Sequence, residues 1–296
     1  MVQLTDKSII TILGAGKMGR SIASFFSEKG IFTILYDPFE EAIIFAKNEI
    51  INQSRLTFTT NLEEAVSKSD FIIESAPENL DIKKELYQKI APYLKSDAII
   101  CSNTSTYPLL TLSKGQPFEN RMLIVHFFNP ADLIPLVEIV KQDSTEEGVL
   151  EIVKSFLSYC GKILVVLNKD IRGFIANRLQ AALLREACYL LKEGIADASS
   201  IDTVVKESIG LRWALNGPFE IMDYGGLDIW DKVLSNLLPV LDNTTTVPEV
   251  IVEKVKQNKL GAKTRDGFFS YRSDVKSEEI LKQRRLLKLV SEVKNS

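Results

Sequence analysis

An apolar run of strand length, Ile9 to Leu13, passes directly into Gly14-Ala15-Gly16-Lys17-Met18-Gly19 and then into a stretch with helical spacing. A glycine-rich turn between a strand and a helix is the phosphate-binding opening of a doubly wound α/β fold. Gly14 permits the tight turn, Gly16 lets backbone N–H groups approach a pyrophosphate, and Gly19 lets the helix pack closely on the sheet. The helix N-terminus adds partial positive charge. Asp37 ends the next apolar run about 20 residues further on, where a carboxylate accepts hydrogen bonds from an adenosine ribose. Its charge opposes a 2'-phosphate, and Pro38 and Phe39 bring no arginine, so the pattern expects NAD rather than NADP.

The rest of the chain fits that opening. Apolar runs at Phe32 to Tyr36, Phe71 to Glu74, Ala98 to Cys101, Leu123 to Phe127 and Lys162 to Val166 read as strands. Helical spacing covers Ser21 to Lys29, Pro38 to Ile51, Leu62 to Lys68, Ile82 to Tyr93 and Glu146 to Cys160. After Asn168 the strand signal stops, and helices are expected at Arg178 to Glu193, Ser200 to Ser208, Leu227 to Leu238 and Val247 to Lys259. The expected class is α/β: a Rossmann-like, mainly parallel sheet domain over residues 1–169, then an all-helical domain over 170–273. Residues 274–296 read as a charged amphipathic tail, with Ile280, Leu287, Val290 and Val293 as its apolar positions.

With 296 residues, 45% apolar, and a net charge of -3, the chain can bury two cores but carries no basic field for nucleic acid or an anionic membrane. A small-molecule partner is expected. The run from Ser8 to Leu13 is too short for a signal or membrane segment, so the expected location is the cytoplasm. Cys101, Cys160 and Cys188 are odd in number and widely spaced, which suggests buried free thiols rather than disulfides or a metal site.

His126 is the single histidine, at the end of a predicted strand and before Phe128-Asn129-Pro130. Ligands of open parallel sheets bind beyond the carboxyl ends of strands, so the position suits chemistry, although a strand-end histidine can also be structural. Glu138, isolated in the apolar run Leu136 to Val140, needs a buried partner, and a His–Glu pair satisfies both. Such a pair can remove the proton of an alcohol during hydride transfer. Ser102-Asn103-Thr104-Ser105-Thr106 follows a strand and either bonds a substrate or is a solvated turn. Asn177, in Gly173-Phe174-Ile175-Ala176-Asn177-Arg178, either faces a cleft or caps a helix.

In combination these motifs, with Glu78-Asn79 and Lys263-Thr264 before Gly267-Phe268, resemble the 3-hydroxyacyl-CoA dehydrogenase family from Ile9 to Tyr271. The resemblance implies oxidation of a short-chain (S)-3-hydroxyacyl-CoA to the 3-oxo form. His126 would be the base and Glu138 its orienter, with Ser105 and Asn177 bonding the substrate's oxygens. It further implies Asp37, Glu78, Lys83, Ser105, Asn129 and Lys263 on the cofactor side, and a helical domain that forms a homodimer. Three positions depart from the family. CoA-using members carry a basic helical hairpin after the second strand, and Pro38 to Asp70 is too short for it. Ile134-Pro135-Leu136-Val137-Glu138 is closer to relatives that oxidise free 3-hydroxy acids of the carnitine or gulonate type, which is the alternative substrate class. Arg172 replaces the usual proline and either lies on the surface or binds a substrate carboxylate. A non-catalytic NAD-binding protein would not be expected to keep Ser105, His126, Glu138 and Asn177 together.

Overall fold

The computed structural model describes residues 3–271 and 275–295. The chain divides into two compact units between Asn177 and Arg178. The first unit is built on eight strands: β1 (Ile9–Leu13), β2 (Phe32–Tyr36), β3 (Leu56–Thr59), β4 (Phe71–Glu74), β5 (Ile99–Ser102), β6 (Met122–Phe127), β7 (Leu136–Val140) and β8 (Ile163–Val166). They lie in one sheet in the order β3-β2-β1-β4-β5-β6-β7-β8. Every pairing is parallel except β6 with β7. The sheet order turns back between β1 and β4, which places a topological switch point beside the glycine motif. Helices α1 (Lys17–Glu28), α2 (Glu40–Glu49), α3 (Leu62–Val66), α4 (Leu80–Ile90), α5 (Leu109–Ser113) and α6 (Val149–Tyr159) complete this unit.

Strand alternation divides the core into two layers. On β4, Phe71 and Ile73 join a cluster with Ile12, Phe26 and Phe156, while Ile72 joins Tyr87, Ile100 and Phe118 in another. Each fully buried side chain of this size contributes roughly 1.5–3 kcal/mol. The same alternation on β6 sends Leu123, Val125 and Phe127 to the first layer and Met122 and Ile124 to the second, so His126 takes the second face.

The second unit is helical: α7 (Ala176–Lys192, which begins in the last residues of the first unit), α8 (Ala198–Val204), α9 (Gly210–Trp213), α10 (Pro218–Gly225), α11 (Leu227–Leu237), α12 (Glu249–Lys256) and α13 (Val275–Asn295). None of residues 178–271 is buried. Cys101 and Cys160 are buried free thiols, but Cys188 on α7 is half-buried, which corrects the expectation of three buried thiols. The expected boundary at 273–274 and the side chains of Ile280 and Val293 lie outside the described residues. No described helix is long and apolar enough to cross a membrane.

Sequence reasoning missed β3, an edge strand whose residues are half-buried or exposed, and the short helices α5, α9 and α10, and it left the apolar run of β7 unassigned as a strand. The segment between β2 and β4 holds only α2, β3 and α3.

Candidate active site

The glycine motif closes on itself by contact. A Cβ on Gly19 would stand 1.8 Å from the Gly14 carbonyl oxygen, and Gly14 has φ +111 with Ser75 O 2.6 Å from where its own Cβ would be. A Cβ on Gly16 would meet no protein atom within 4 Å. Gly14 and Gly19 are thus fixed by packing, whereas Gly16 faces open space. Gly16 caps α1 with no side-chain hydrogen bond, and the first turn of α1 has no acidic residue, which suits an anion there. Asp37 Oδ2 accepts a hydrogen bond from Ala15 N at 2.8 Å and its Oδ1 one from Phe39 N at 3.1 Å. The carboxylate therefore buttresses the glycine turn as well as facing the space beside it.

A cavity of about 850 Å³ runs from this turn across the carboxyl edge of the sheet. That volume lies within the range of a small-molecule or cofactor site. Gly14, Ala15, Gly16, Lys17 and Met18 line one part with Asp37; Ser75, Glu78, Lys83, Asn103 and Ser105 line another. The open side of Gly16, the unshielded helix end and Asp37 fit a dinucleotide.

Glu78 joins the loops after β4 and β5. Its Oε1 accepts hydrogen bonds from the hydroxyls of Thr104 at 2.5 Å and Thr106 at 2.7 Å, and from the amides of Ser105 at 3.2 Å and Thr106 at 3.1 Å. Burial opposes ionisation of Glu78, but the bonds from Thr104 and Thr106 and the charge of Lys83 outweigh it and bring its carboxyl below the ordinary glutamate value. Lys83 Nζ is enclosed between Glu74 Oε1 at 2.7 Å and Glu78 Oε2 at 3.2 Å. Its ammonium is thus engaged with protein at the wall of the cavity that it also lines.

His126 and Glu138 are direct partners in the β6–β7 register. His126 Nδ1 is 2.9 Å from Glu138 Oε2, and both residues are buried. Phe128 and Phe174 flank the imidazole, with ring centroids at 4.6 Å and 5.3 Å. Glu138 Oε1 accepts hydrogen bonds from the amides of Ile175 and Ala176, both at 2.9 Å, at the start of α7. Burial would raise the Glu138 carboxyl, but the bonds from His126, Ala176 and Ile175 and the His126 charge bring it below the ordinary value. With Nδ1 committed to the carboxylate, Nε2 is the nitrogen left to exchange a proton with a ligand.

Asn103, which sequence reasoning placed only in a polar cluster, accepts a hydrogen bond from Phe127 N at 2.8 Å through its Oδ1. This ties the cavity-lining loop to the residue after His126. Asn177 is half-buried in the first turn of α7, two residues beyond Ile175; Asn129 is exposed after β6; Arg172 is exposed before Gly173. Lys263 stands in the second unit, inside the short bridge of Gly261 and Asp266. The glycine turn, Asp37, Glu78, Lys83 and Ser105 thus share one cavity, and His126 and Glu138 form a pair joined to it through Asn103.

Comparison with known proteins gives the family. Residues 47–171 match the NAD binding domain of 3-hydroxyacyl-CoA dehydrogenase, and residues 173–271 match its C-terminal domain. The chain belongs to the 3-hydroxyacyl-CoA dehydrogenase family. The members of this family are NAD-dependent oxidoreductases. The matched stretch begins inside α2, so the glycine turn and Asp37 are argued from their own geometry. The family member 5-formyl-3-hydroxy-2-methylpyridine 4-carboxylate 5-dehydrogenase of Mesorhizobium japonicum is 32% identical over 95% of this chain and 96% of its own. A crystal structure of an enzyme of that name, described as an NAD+ dependent dismutase, superposes with TM-score 0.92 at 30% identity, over 97% of this chain and 99% of that one. L-carnitine dehydrogenase of Streptomyces griseus is 34% identical over 72% of this chain and 68% of its own. The solved 3-hydroxyacyl-CoA dehydrogenase of Archaeoglobus fulgidus superposes with TM-score 0.70 at 32% identity, over 96% and 99% of the two chains.

Proposed function

We propose that this family member oxidises a small free acid bearing a hydroxyl group, or the hydrate of an aldehyde, rather than a CoA thioester. The observation that carries the reading is the segment between β2 and β4. It holds a ten-residue α2, a four-residue strand and a five-residue α3, so the helical hairpin that the resemblance links to CoA has no place there. Support comes from the closer superposition on an enzyme named for a formyl pyridine carboxylate than on a named 3-hydroxyacyl-CoA dehydrogenase. The relatives named as L-carnitine dehydrogenases point the same way.

In this reading NAD supplies the hydride acceptor when bound. The amides of Gly16 to Gly19 at the start of α1 would hold its phosphates and the carboxylate of Asp37 its ribose, with Gly14 and Ala15 shaping the turn and Glu78 and Ser105 at the opposite wall. His126 Nε2 takes the proton of the substrate hydroxyl as the carbon–hydrogen bond breaks, and Glu138 stabilises the resulting imidazolium through Nδ1. Phe128 and Phe174 pack beside the imidazole. A hydrated aldehyde presents the same H–C–O–H unit as a secondary alcohol, so one base serves both substrates. Asn177 bonds the substrate's oxygens, and Arg172 is the candidate anchor for its carboxylate.

The test is NADH oxidation with acetoacetyl-CoA in parallel with NAD reduction by carnitine, gulonate, 3-hydroxybutyrate and a formyl pyridine carboxylate. Turnover with a free acid and not with acetoacetyl-CoA is expected. Faster turnover of acetoacetyl-CoA would restore the thioester as the substrate.

A homodimer belongs to the same proposal. The helical unit exposes Leu211, Trp213, Phe219, Tyr224 and Leu227, with Phe219 76% and Tyr224 85% accessible, a surface that calls for cover. A second copy is the occupant that the family resemblance implies, and sedimentation at the monomer mass would reject it. The cytoplasmic location expected from the sequence belongs to the same proposal.

A further inference from the structure

Glu74 ends β4 and is completely buried, as is Lys83 apart from 1% of its surface. A carboxylate removed from water is costly unless its lone pairs are engaged, and four donors converge on this one. Oε1 accepts from Ala76 N and Lys83 Nζ, both at 2.7 Å. Oε2 accepts from the hydroxyls of Ser102 at 2.6 Å and Tyr87 at 2.8 Å. Lys83 and Tyr87 are four residues apart on α4 and so present one face. The donors come from the loop after β4, from α4 and from β5, and a single ion ties the three together. Burial and the Glu74 charge hold the Tyr87 phenol well above its usual 10, which keeps it a donor.

The row continues outward. Lys83 reaches Glu78, and Glu78 in turn holds Thr104, Ser105 and Thr106. Two carboxylates around one ammonium leave one net negative charge beside the cavity. This wall lies next to the loop that Asn103 ties to Phe127, beside His126, so it belongs to the end where hydride is exchanged.

We infer that Glu74 is a positioning residue: by holding Lys83 between two carboxylates it helps fix Glu78 in the cavity wall and keeps that wall negative, which favours the oxidised dinucleotide, whose nicotinamide ring is cationic, over the reduced one. The inference rests on the cavity being the NAD site and is independent of the substrate.

Glu74→Gln removes the charge with little change of shape. The amide oxygen can face Lys83 and Ala76 N while its NH2 faces the Tyr87 and Ser102 hydroxyls, which rotate to accept. Calorimetric titration without substrate, with NAD and NADH separately, should show the ratio of the NAD Kd to the NADH Kd rising about fivefold, as loss of one partly screened charge predicts. Tyr87→Phe keeps the charge, removes one bond, and should leave the ratio unchanged. A ratio equal to that of the unaltered protein in Glu74→Gln would overturn the inference. If that variant does not fold, the Glu74→Met, Lys83→Met pair replaces both ions with apolar groups of similar volume, a change such pairs tolerate. Glu78 then keeps the net charge and its bonds from Thr104, Ser105 and Thr106 but loses Lys83, which held its other oxygen, so both Kd values should rise together, and unchanged values would overturn the positioning role. Tight NADH binding by the unaltered protein is the control that separates failure of the NAD site from failure of the inference.

Discussion

His126 and Glu138 stand directly opposite each other in the antiparallel pair of a sheet whose other pairings are parallel, with Nδ1 and Oε2 2.9 Å apart. Facing residues of such a pair project to one side, so the register itself aims carboxylate at imidazole without help from a loop. The second Glu138 oxygen holds the amides of Ile175 and Ala176. One side chain thereby orients the base and secures the start of α7.

Replacing His126 with alanine should lower kcat by roughly 10²- to 10⁴-fold, the usual worth of a positioned proton acceptor. NADH affinity, measured by fluorescence titration, should stay within about twofold, since His126 is outside the lining of the cavity. A variant that keeps most of its turnover would remove His126 from the mechanism.

Gly16 and Gly19 should respond oppositely to alanine. The Gly19 methyl would collide with the Gly14 carbonyl, so Gly19→Ala should lower Tm and yield. Gly16→Ala meets no protein atom, so Tm should hold while NADH affinity falls, because the methyl enters the space proposed for the phosphates. Equal NADH affinity in Gly16→Ala and the unaltered protein would contradict that assignment.

Asp37→Arg should move the kcat/KM preference from NAD toward NADP, since a cation replaces a charge that repels a 2'-phosphate. Some stability should be lost as well, because Asp37 also receives the Ala15 and Phe39 amides. An unchanged cofactor ratio would show that Asp37 does not face the ribose.

Acid should destabilise the first unit in a defined direction. The Glu138 and Glu78 carboxyls both titrate below the ordinary 4.5 in the folded chain, so the unfolded chain binds protons first as pH falls. Their stabilisation is complete above 4.5 and disappears as pH drops through the lower folded values. Denaturant midpoints measured from pH 6 to pH 3 should therefore fall, and Glu138→Gln should show a shallower fall.

The sheet was legible because strands covered on both faces are continuous apolar runs; β1, β2 and β4 match their sequence limits, and β7 coincides with the apolar run Leu136 to Val140. The strand β3 was not, because Leu56-Thr57-Phe58-Thr59 sits at the sheet edge with half its character polar. In the site, the glycine turn and the His–Glu pair could be read from spacing. Glu74 could not, since a single acid at the end of Phe71-Ile72-Ile73-Glu74 gives no hint of four donors. Lys83 and Tyr87, at helical spacing on the next element, were the signal available. The bond from Phe127 N to Asn103 joins residues 24 apart, and only the parallel β5–β6 pairing brings them together.

The two aromatic rings that flank His126 have a spectroscopic consequence. Phe128 and Phe174 lie tilted at 59° and 55° to the imidazole, close enough for their ring currents to displace its proton resonances. Because no other histidine exists, those resonances need no assignment by mutagenesis. Proton NMR of the unlabelled protein can therefore follow the charge state of this one ring as pH, dinucleotide or substrate is varied.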